Sequence, residues 1–112
     1  MVSKELVAAS TRPMILAILA QEESYGYAII QRVRELSNGQ LEWSEGMLYP
    51  VLHRLEQEKV IISRWGKSEQ GRRRKYYRLS VSGFRTMSSE RQQWSVVQNT
   101  LNKLWEGQPC LT

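Results

Sequence analysis

Residues 44–56 of this chain read SEGMLYPVLHRLE and predict one amphipathic helix that continues to about Lys59. Ser44 is a favourable N-cap, and the leucines at 48, 52 and 55 recur at the spacing that places them on one buried face. Pro50 lies inside this helix and predicts a local kink. The remaining side chains are expected to face outward: Glu45, Met47, Tyr49, Pro50, His53, Arg54 and Gln57.

Two β-like runs follow this helix, from Val60 to Trp65 and from Lys75 to Ser80. They predict a hairpin with a long tip over residues 66–74. Residues 64–78 carry seven basic side chains and one acidic one, a local charge of +6, whereas the whole chain carries +5. The rest of the chain is therefore slightly acidic. A cluster of one sign on a projecting hairpin favours a polyanionic partner, and double-stranded DNA is the expected one.

The residues before this helix predict two shorter helices. The first begins at about Pro13 after a lead-in from Lys4, and the second is capped by Ser24 and ends at Asn38 and Gly39. Three helices followed by a basic hairpin is the order of a winged helix-turn-helix module. We therefore predict a mainly α fold of the α+β class, with this domain over residues 1–80 and its wing at about 60–80.

A final helix over residues 81–106 is predicted by apolar residues close to a seven-residue repeat. Its length of roughly 36 Å is more than such a small domain can cover, which predicts a homodimerisation helix. Residues 107–112 are expected to be a disordered tail. The predicted dimerisation residues are Phe84, Met87, Trp94, Val97, Leu101, Leu104 and Trp105.

The composition argues against most enzymes. The chain has no Asp, one histidine (His53) and one cysteine (Cys110), so neither a catalytic triad nor a multi-ligand metal site can be assembled, and we expect no cofactor and no intrachain disulfide. No stretch approaches the roughly 20 apolar residues of a membrane helix, and the N-terminus lacks a secretion signal. We therefore expect a cytoplasmic protein that is not an enzyme.

Three ordered motifs resemble the PadR family of bacterial transcriptional regulators: YGY at 25–27, the stretch 44–56, and GRRRKYYRL at 71–79. The resemblance covers about residues 11–105, and the chain is similar to short members with a single C-terminal helix. It implies a dimeric winged-helix repressor that binds an inverted repeat in a promoter. With the analysis above, it gives these expected DNA-binding residues: Ser44, Met47, Tyr49, Pro50, His53, Arg54, Arg64, Arg72, Arg73, Arg74 and Lys75.

Some short members also carry a Trp on the last helix, where two copies flank a pore for planar, often cationic drugs. Trp94 falls at the matching place, and Trp94, Val97 and Gln98 form the expected ligand site. Filling of the core or dimer interface is the alternative role of Trp94. Since position 98 holds no carboxylate and only Glu90 lies one turn before, a planar aromatic or hydrophobic ligand is favoured over a cationic drug.

One further expectation concerns two of the tryptophans, and another concerns an alternative function. Trp43 and Trp65 flank the third helix and the start of the hairpin, where packing into the core is expected of both. The alternative function is non-specific nucleic-acid binding, as in an architectural protein without an effector. The polar outward face of the third helix favours a sequence-specific regulator instead.

Overall fold

The computed structural model describes residues 1–107 as four helices and three strands. In chain order these are α1 (Lys4–Gln21), β1 (Ser24–Tyr25), α2 (Gly26–Leu36), α3 (Glu45–Gln57), β2 (Ile61–Lys67), β3 (Arg73–Leu79) and α4 (Val81–Glu106). The predicted winged helix-turn-helix fold with a long C-terminal helix is confirmed. Residues 108–112, which include Cys110 and most of the predicted tail, lie outside the described part of the chain.

The hydrophobic core lies between α1, α2, α3 and the base of the sheet. The three leucines predicted to face inward from α3 are completely buried, and Trp43 is buried beside them as expected. The core residues are Ile15, Leu16, Leu19, Ile29, Val33, Trp43, Leu48, Leu52, Leu55, Val60, Ile61, Tyr77 and Leu79. The helices α1, α2 and α3 and the sheet therefore share one core, which fixes α3 against the sheet.

Helix α1 begins at Lys4, so the prediction that it begins at Pro13 is wrong. Ser3 caps it, its Oγ accepting from the backbone N–H of Leu6 at 3.3 Å. The turns before the proline bury side chains as well: Thr11 is inaccessible, its hydroxyl donates to the Val7 carbonyl at 2.6 Å, and Val7 packs on the core. Burial of this first part offsets the hydrogen bond that Pro13 removes.

Ser24 does not cap α2, contrary to prediction. It belongs to β1, which pairs with β3 so that Ser24 lies opposite Tyr77 and Tyr25 lies opposite Tyr76. The pairing is between segments more than fifty residues apart, and local sequence patterns do not reveal it. The end of α2 follows the prediction, since the N–H of Gly39 donates to the carbonyl of Arg34 at 2.8 Å.

The sheet is antiparallel, with strand order β1-β3-β2. Its two long strands extend further than predicted, because Gly66 pairs with Arg74 and Lys67 pairs with Arg73. The tip is confined to residues 68–72, where the N–H of Ser68 donates to the Arg72 carbonyl at 2.8 Å. Arg73 and Arg74 therefore lie on a regular strand, with defined neighbours across the ladder.

Helix α4 contains 26 residues, which corresponds to about 39 Å. Ser80 caps it by accepting from the N–H of Gly83 at 2.9 Å and donates to the Lys59 carbonyl at 2.6 Å. Met87 packs on the core of its own domain, unlike the other predicted dimerisation residues, whereas every residue from 91 to 107 is exposed. No helix within residues 1–107 has the length and apolar character needed to span a membrane.

The start of α4 generates a stability prediction. Gly83 is buried, and a Cβ at this position would collide with the carbonyl oxygen of Val60, which already accepts from the N–H of Ser80 at 3.0 Å. Gly83→Ala is expected to lower the free energy of unfolding by about 1–3 kcal/mol, measured by urea denaturation. The control Gly107→Ala has room for its methyl group and should change it by less than about 0.5 kcal/mol. Equal losses would contradict this packing.

Candidate nucleic-acid interface

Helix α3 presents one strip of exposed residues to solvent. The strip repeats every three or four positions, as one face of a helix must. Its members are Gly46, Pro50, His53 and Gln57, with Tyr49 beside them on the side of the hairpin. Small, polar and hydrogen-bonding side chains thus share a surface without a covering element from residues 1–107, and the leucines on the opposite face hold it in place.

Two residues expected on this outward face lie toward α1. Met47 packs on the core, and the Thr11 hydroxyl donates to its Sδ at 3.7 Å, so its prediction as an outward residue is wrong. Arg54 is exposed but lies on the α1 side, near Arg12 and Glu58. Ser44 uses its hydroxyl as the N-cap, accepting from the Met47 N–H at 3.2 Å.

Tyr49 stands between α3 and the start of α2. Its side chain is 43% exposed, and its hydroxyl lies so close to Gly26 that a Cβ there would be 2.5 Å from the hydroxyl oxygen. Only glycine allows this approach. The glycine of the YGY motif at 25–27 therefore leaves room for the tyrosine of α3, so that two motifs separate in sequence lie against each other.

A concave surface of about 690 Å³ lies between α3, the start of α2 and the hairpin; we call it the basic groove. It brings together the N-terminal half of α3 and the basic side of the wing, as the resemblance implied. The lining residues are Tyr25, Gly26, Tyr27, Glu45, Tyr49, Trp65, Arg72, Arg73, Arg74, Lys75 and Tyr77. Five aromatic and four cationic side chains here face a single carboxylate.

Two of the basic residues expected to bind DNA are paired with the protein's own carboxylates. Arg64 donates to Glu23 through Nε at 2.9 Å and through Nη2 at 2.5 Å, and these hydrogen bonds lower the pKa of Glu23. Lys75 donates to Glu56 at 3.3 Å. Both charges are thus largely neutralised within the fold, and these side chains brace the hairpin.

Arg73 and Arg74 have aromatic partners instead. The guanidinium carbon of Arg73 lies 4.7 Å from the centroid of the Trp65 ring, and that of Arg74 lies 4.0 Å from the Tyr25 ring. Within residues 1–107 neither arginine pairs with a carboxylate, and the same holds for Arg72 at the tip. Three consecutive uncompensated charges therefore lie on the basic groove.

Trp65 is 59% exposed, so the expectation that it packs in the core is wrong. It lies on β2 opposite Lys75, toward the hairpin tip and away from the helices that bury the base of the strand. The basic run across the hairpin could have indicated this exposure. A strand that projects from the domain has no core against which Trp65 could pack. The ring covers Arg73 instead.

Glu56 fixes the angle between α3 and the hairpin. Its carboxylate accepts a short hydrogen bond from the Ser63 hydroxyl on β2 and the one from Lys75 on β3, which together lower the pKa of Glu56, the Ser63 bond more than the Lys75 bond. One carboxylate on α3 thus holds both long strands. Its partners come from later segments, so local sequence patterns give no signal for this role of Glu56.

Residues 15–89 match the transcriptional regulator PadR-like family. This chain belongs to that family. A PadR-like transcriptional regulator from Bacillus cereus is 31% identical and superimposes with a TM-score of 0.82 over 94% of this chain and 100% of that one. A transcriptional regulator from Clostridium thermocellum gives 28% identity and a TM-score of 0.81, over 92% and 97% of the two chains. The transcriptional regulator Rv3488 of Mycobacterium tuberculosis is 34% identical, over 79% of this chain and 78% of its own.

Membership of the PadR-like family makes the chain a DNA-binding transcriptional regulator. Within residues 1–107, no three His, Cys, Asp or Glu side chains are grouped to hold a metal ion. The basic groove presents arginines and hydrogen-bond donors, which are the groups that proteins use to contact phosphates.

The α4 helix of this PadR-like chain carries a second candidate site. A concavity of about 440 Å³ is lined by Glu90, Gln93, Trp94 and Val97, with Trp94 38% exposed. Gln98, expected in this site, is not among the lining residues, whereas Gln93 was not expected. The spacing 90, 93, 94, 97 could have revealed the set, because it describes a single helix face and position 98 lies at its edge.

Glu90 does not offer a free carboxylate to that concavity. Arg12 of α1 donates to both oxygens of Glu90 through Nε at 3.1 Å, and through Nη1 to both oxygens of Glu58 at 3.1 Å. These bonds raise the pKa of Arg12, that to Glu90 contributing most. Arg12 therefore joins α4 to the end of α3, and we call this group the Arg12 clamp.

The exposed half of α4 carries an apolar face, and Trp94 at its start also borders Pro13 and Ala17 of α1. Six of the seven predicted dimerisation residues are exposed, Met87 being the one that packs within the domain. Val96 is a further exposed apolar residue that was not predicted. The exposed apolar residues of α4 are Val81, Phe84, Trp94, Val96, Val97, Leu101, Leu104 and Trp105. Trp94, Val97, Leu101, Leu104 and Trp105 lie on one side of the helix, and an exposed apolar strip of this kind is typical of an interaction surface.

The Glu56 contacts generate a pH-dependent prediction. Since the folded-state pKa of Glu56 is lowered, its contribution to stability is present at neutral pH and is lost as the pH falls through the folded pKa. Glu56→Gln is expected to reduce the free energy of unfolding by about 1 kcal/mol at pH 7, because the amide binds Lys75 less strongly.

The difference between Glu56→Gln and the parent chain should shrink as the pH falls below about 4.3, the ordinary pKa of a glutamate, and its charge-dependent part should be lost once the pH passes below the lowered folded-state pKa. Chemical denaturation at a series of pH values measures this. The control Glu69→Gln alters an exposed carboxylate at the hairpin tip, which has no ion pair within residues 1–107, and should have little effect. A pH-independent difference for Glu56→Gln would show that its charge is not what matters.

Proposed function

We propose that this PadR-like regulator is a repressor that binds an inverted-repeat operator as a homodimer and releases it when a planar aromatic or hydrophobic ligand binds beside Trp94. The observation that carries the DNA-binding part is the basic groove, in which Tyr49 of α3, beside the exposed strip, adjoins Arg72, Arg73 and Arg74. A helix of this kind enters the major groove, and a wing reaches the flanking backbone or minor groove.

The geometry supports separate roles for α3 and the wing. On α3, His53, Tyr49 and Pro50 are exposed and would face the base edges and neighbouring phosphates, with Ser44 at the N-terminal end. On the wing, Arg72, Arg73 and Arg74 would bind phosphates. Arg64 and Lys75 would support the wing through their glutamates, and Arg54 lies at the α1 margin of the surface.

The exposed apolar face of α4 supports the dimer. A second copy that covers Trp94, Val97 and Leu101 would remove these side chains from water, and each large apolar residue fully buried contributes about 1.5–3 kcal/mol. Two domains held by paired helices can present two α3 helices to half-sites about 34 Å apart, which is one turn of DNA. An inverted repeat is the operator that such a twofold arrangement would match.

The Arg12 clamp supports a route from ligand to DNA. Glu90 lines the concavity beside Trp94, and through Arg12 it is joined to Glu58, the residue that follows α3. A ligand that displaces Glu90 or moves α4 would change how α3 is held. It must bind the released state more tightly than the DNA-bound state, because only differential affinity shifts the equilibrium. Occupation of Glu90 by Arg12 also favours an uncharged planar ligand over a cation.

Electrophoretic mobility shifts test the operator. DNA from upstream of the protein's own gene is compared with a scrambled duplex over a range of salt concentrations. Arg73→Ala/Arg74→Ala should weaken binding to both and reduce the salt slope by about two, because two phosphate contacts are lost.

The control for this experiment is Arg85→Ala/Lys103→Ala, which removes two exposed charges from α4 and should leave the slope unchanged. Equal affinity of the parent chain for upstream and scrambled DNA would contradict the operator and favour non-specific nucleic-acid binding. An unchanged slope in the wing variant would contradict the role of the wing.

Fluorescence titration tests the ligand site. Nile red, an uncharged planar dye, should quench tryptophan emission of the parent chain, and Trp94→Ala should abolish this binding because the stacking surface is lost. Gln98→Ala, on the edge of the same helix and outside the concavity, should retain it. Sedimentation of both variants checks that the oligomeric state is kept. Dye binding that survives in Trp94→Ala would place the site elsewhere.

A further inference from the structure

Four basic side chains of the hairpin lie over aromatic rings, but they divide into two classes. Arg64 and Lys75 lie near the rings of Tyr76 and Tyr77 and also form ion pairs with glutamates. Arg73 and Arg74 have, within residues 1–107, only the rings of Trp65 and Tyr25. The hairpin therefore holds one pair of cations by charge and another pair by aromatic faces alone.

The register of the three strands explains how Arg73 and Arg74 reach their rings. Trp65 lies directly opposite Lys75 and Tyr25 directly opposite Tyr76, so each arginine is two residues from the partner of its ring. Long side chains reach this diagonal neighbour in an antiparallel sheet. Arg73 leans across to β2 and Arg74 leans across to β1, so the central strand β3 has a ring on each side for its two arginines.

An aromatic ring and a carboxylate differ in their effect on the charge of an arginine and on its available N–H groups. A carboxylate neutralises the guanidinium and occupies its donors. A ring attracts the cation through its face, keeps the charge, and leaves the in-plane N–H groups available. Stacking also restricts a side chain that otherwise loses much rotamer freedom when it binds. The stacked pair is thus ordered in advance yet still able to bind an anion.

We propose that Trp65 and Tyr25 are positioning residues for DNA binding, which hold Arg73 and Arg74 in place so that their N–H groups remain available to phosphates. The inference rests on the proposed function of the wing. It also accounts for a large indole that is 59% exposed on a strand that projects from the core. Trp65 acts through Arg73, and Tyr25 acts through Arg74.

The proposal has a distinctive signature in the salt dependence of binding. Loss of the ring disorders Arg73 but keeps its charge, so Trp65→Leu should weaken binding about three- to fivefold with an unchanged salt slope. Arg73→Ala should both weaken binding and reduce the slope by about one. Trp65→Phe keeps an aromatic face and should restore most of the affinity.

Fluorescence anisotropy with a fluorescein-labelled duplex of random sequence measures these affinities, because phosphate contacts do not require the operator. Ile62→Ala is the matched control, since it trims an exposed apolar side chain of the same strand that lies under no cation within residues 1–107. It should bind like the parent chain. Circular dichroism melts of all variants show whether the fold is retained.

A double-mutant cycle decides the mechanism. Trp65→Leu should cause no further loss when Arg73 is already alanine, and Tyr25→Leu should behave in the same way toward Arg74→Ala. An equal loss in both backgrounds would overturn the proposal, because each ring would then act independently of its arginine. If Arg73→Ala and Arg74→Ala bind the duplex like the parent chain, the result contradicts both the proposed role of the wing in DNA binding and the role of the two rings.

Discussion

The carboxylate of Glu56 joins the two elements that form the walls of the basic groove, helix α3 and the hairpin. It accepts from Ser63 on one hairpin strand and from Lys75 on the other, while the leucines of the same helix are buried in the core. Helix α3 is therefore fixed from two directions, by packing and by charge-assisted hydrogen bonds. The shape of the basic groove depends on this junction, because its two walls are the helix and the hairpin.

Contacts with other side chains also hold the basic residues of the hairpin. Glutamates bind Arg64 and Lys75, whereas aromatic rings support Arg73 and Arg74, which lie nearer the tip. The first two cations are paired with carboxylates, and within residues 1–107 the second two are not. Two further ion pairs, those of the Arg12 clamp, connect α4 to the end of α3. The helix that carries the candidate ligand concavity is thereby joined to the helix that forms one wall of the basic groove.

The errors of the sequence analysis share a physical cause. Pro13 and Ser24 carry strong local signals, but burial of Thr11 and pairing of β1 with β3 override them. Trp65 was expected in the core because it is large and apolar, yet the ladder carries it beyond the helices. Met47 was expected to face outward, but α1, which begins earlier than predicted, covers it.

The sequence by itself determined the order of the four helices and the two long strands, the inward leucines of α3, the capping residue Ser44 and the confinement of the net positive charge to residues 64–78. These are properties of spacing and composition, which local physics translates directly into structure. Only the tertiary structure decided which cations are neutralised, that Gly26 makes room for Tyr49, and that Arg12 joins three helices. Such features depend on contacts between segments that are distant in sequence, and these segments meet only when the chain is folded.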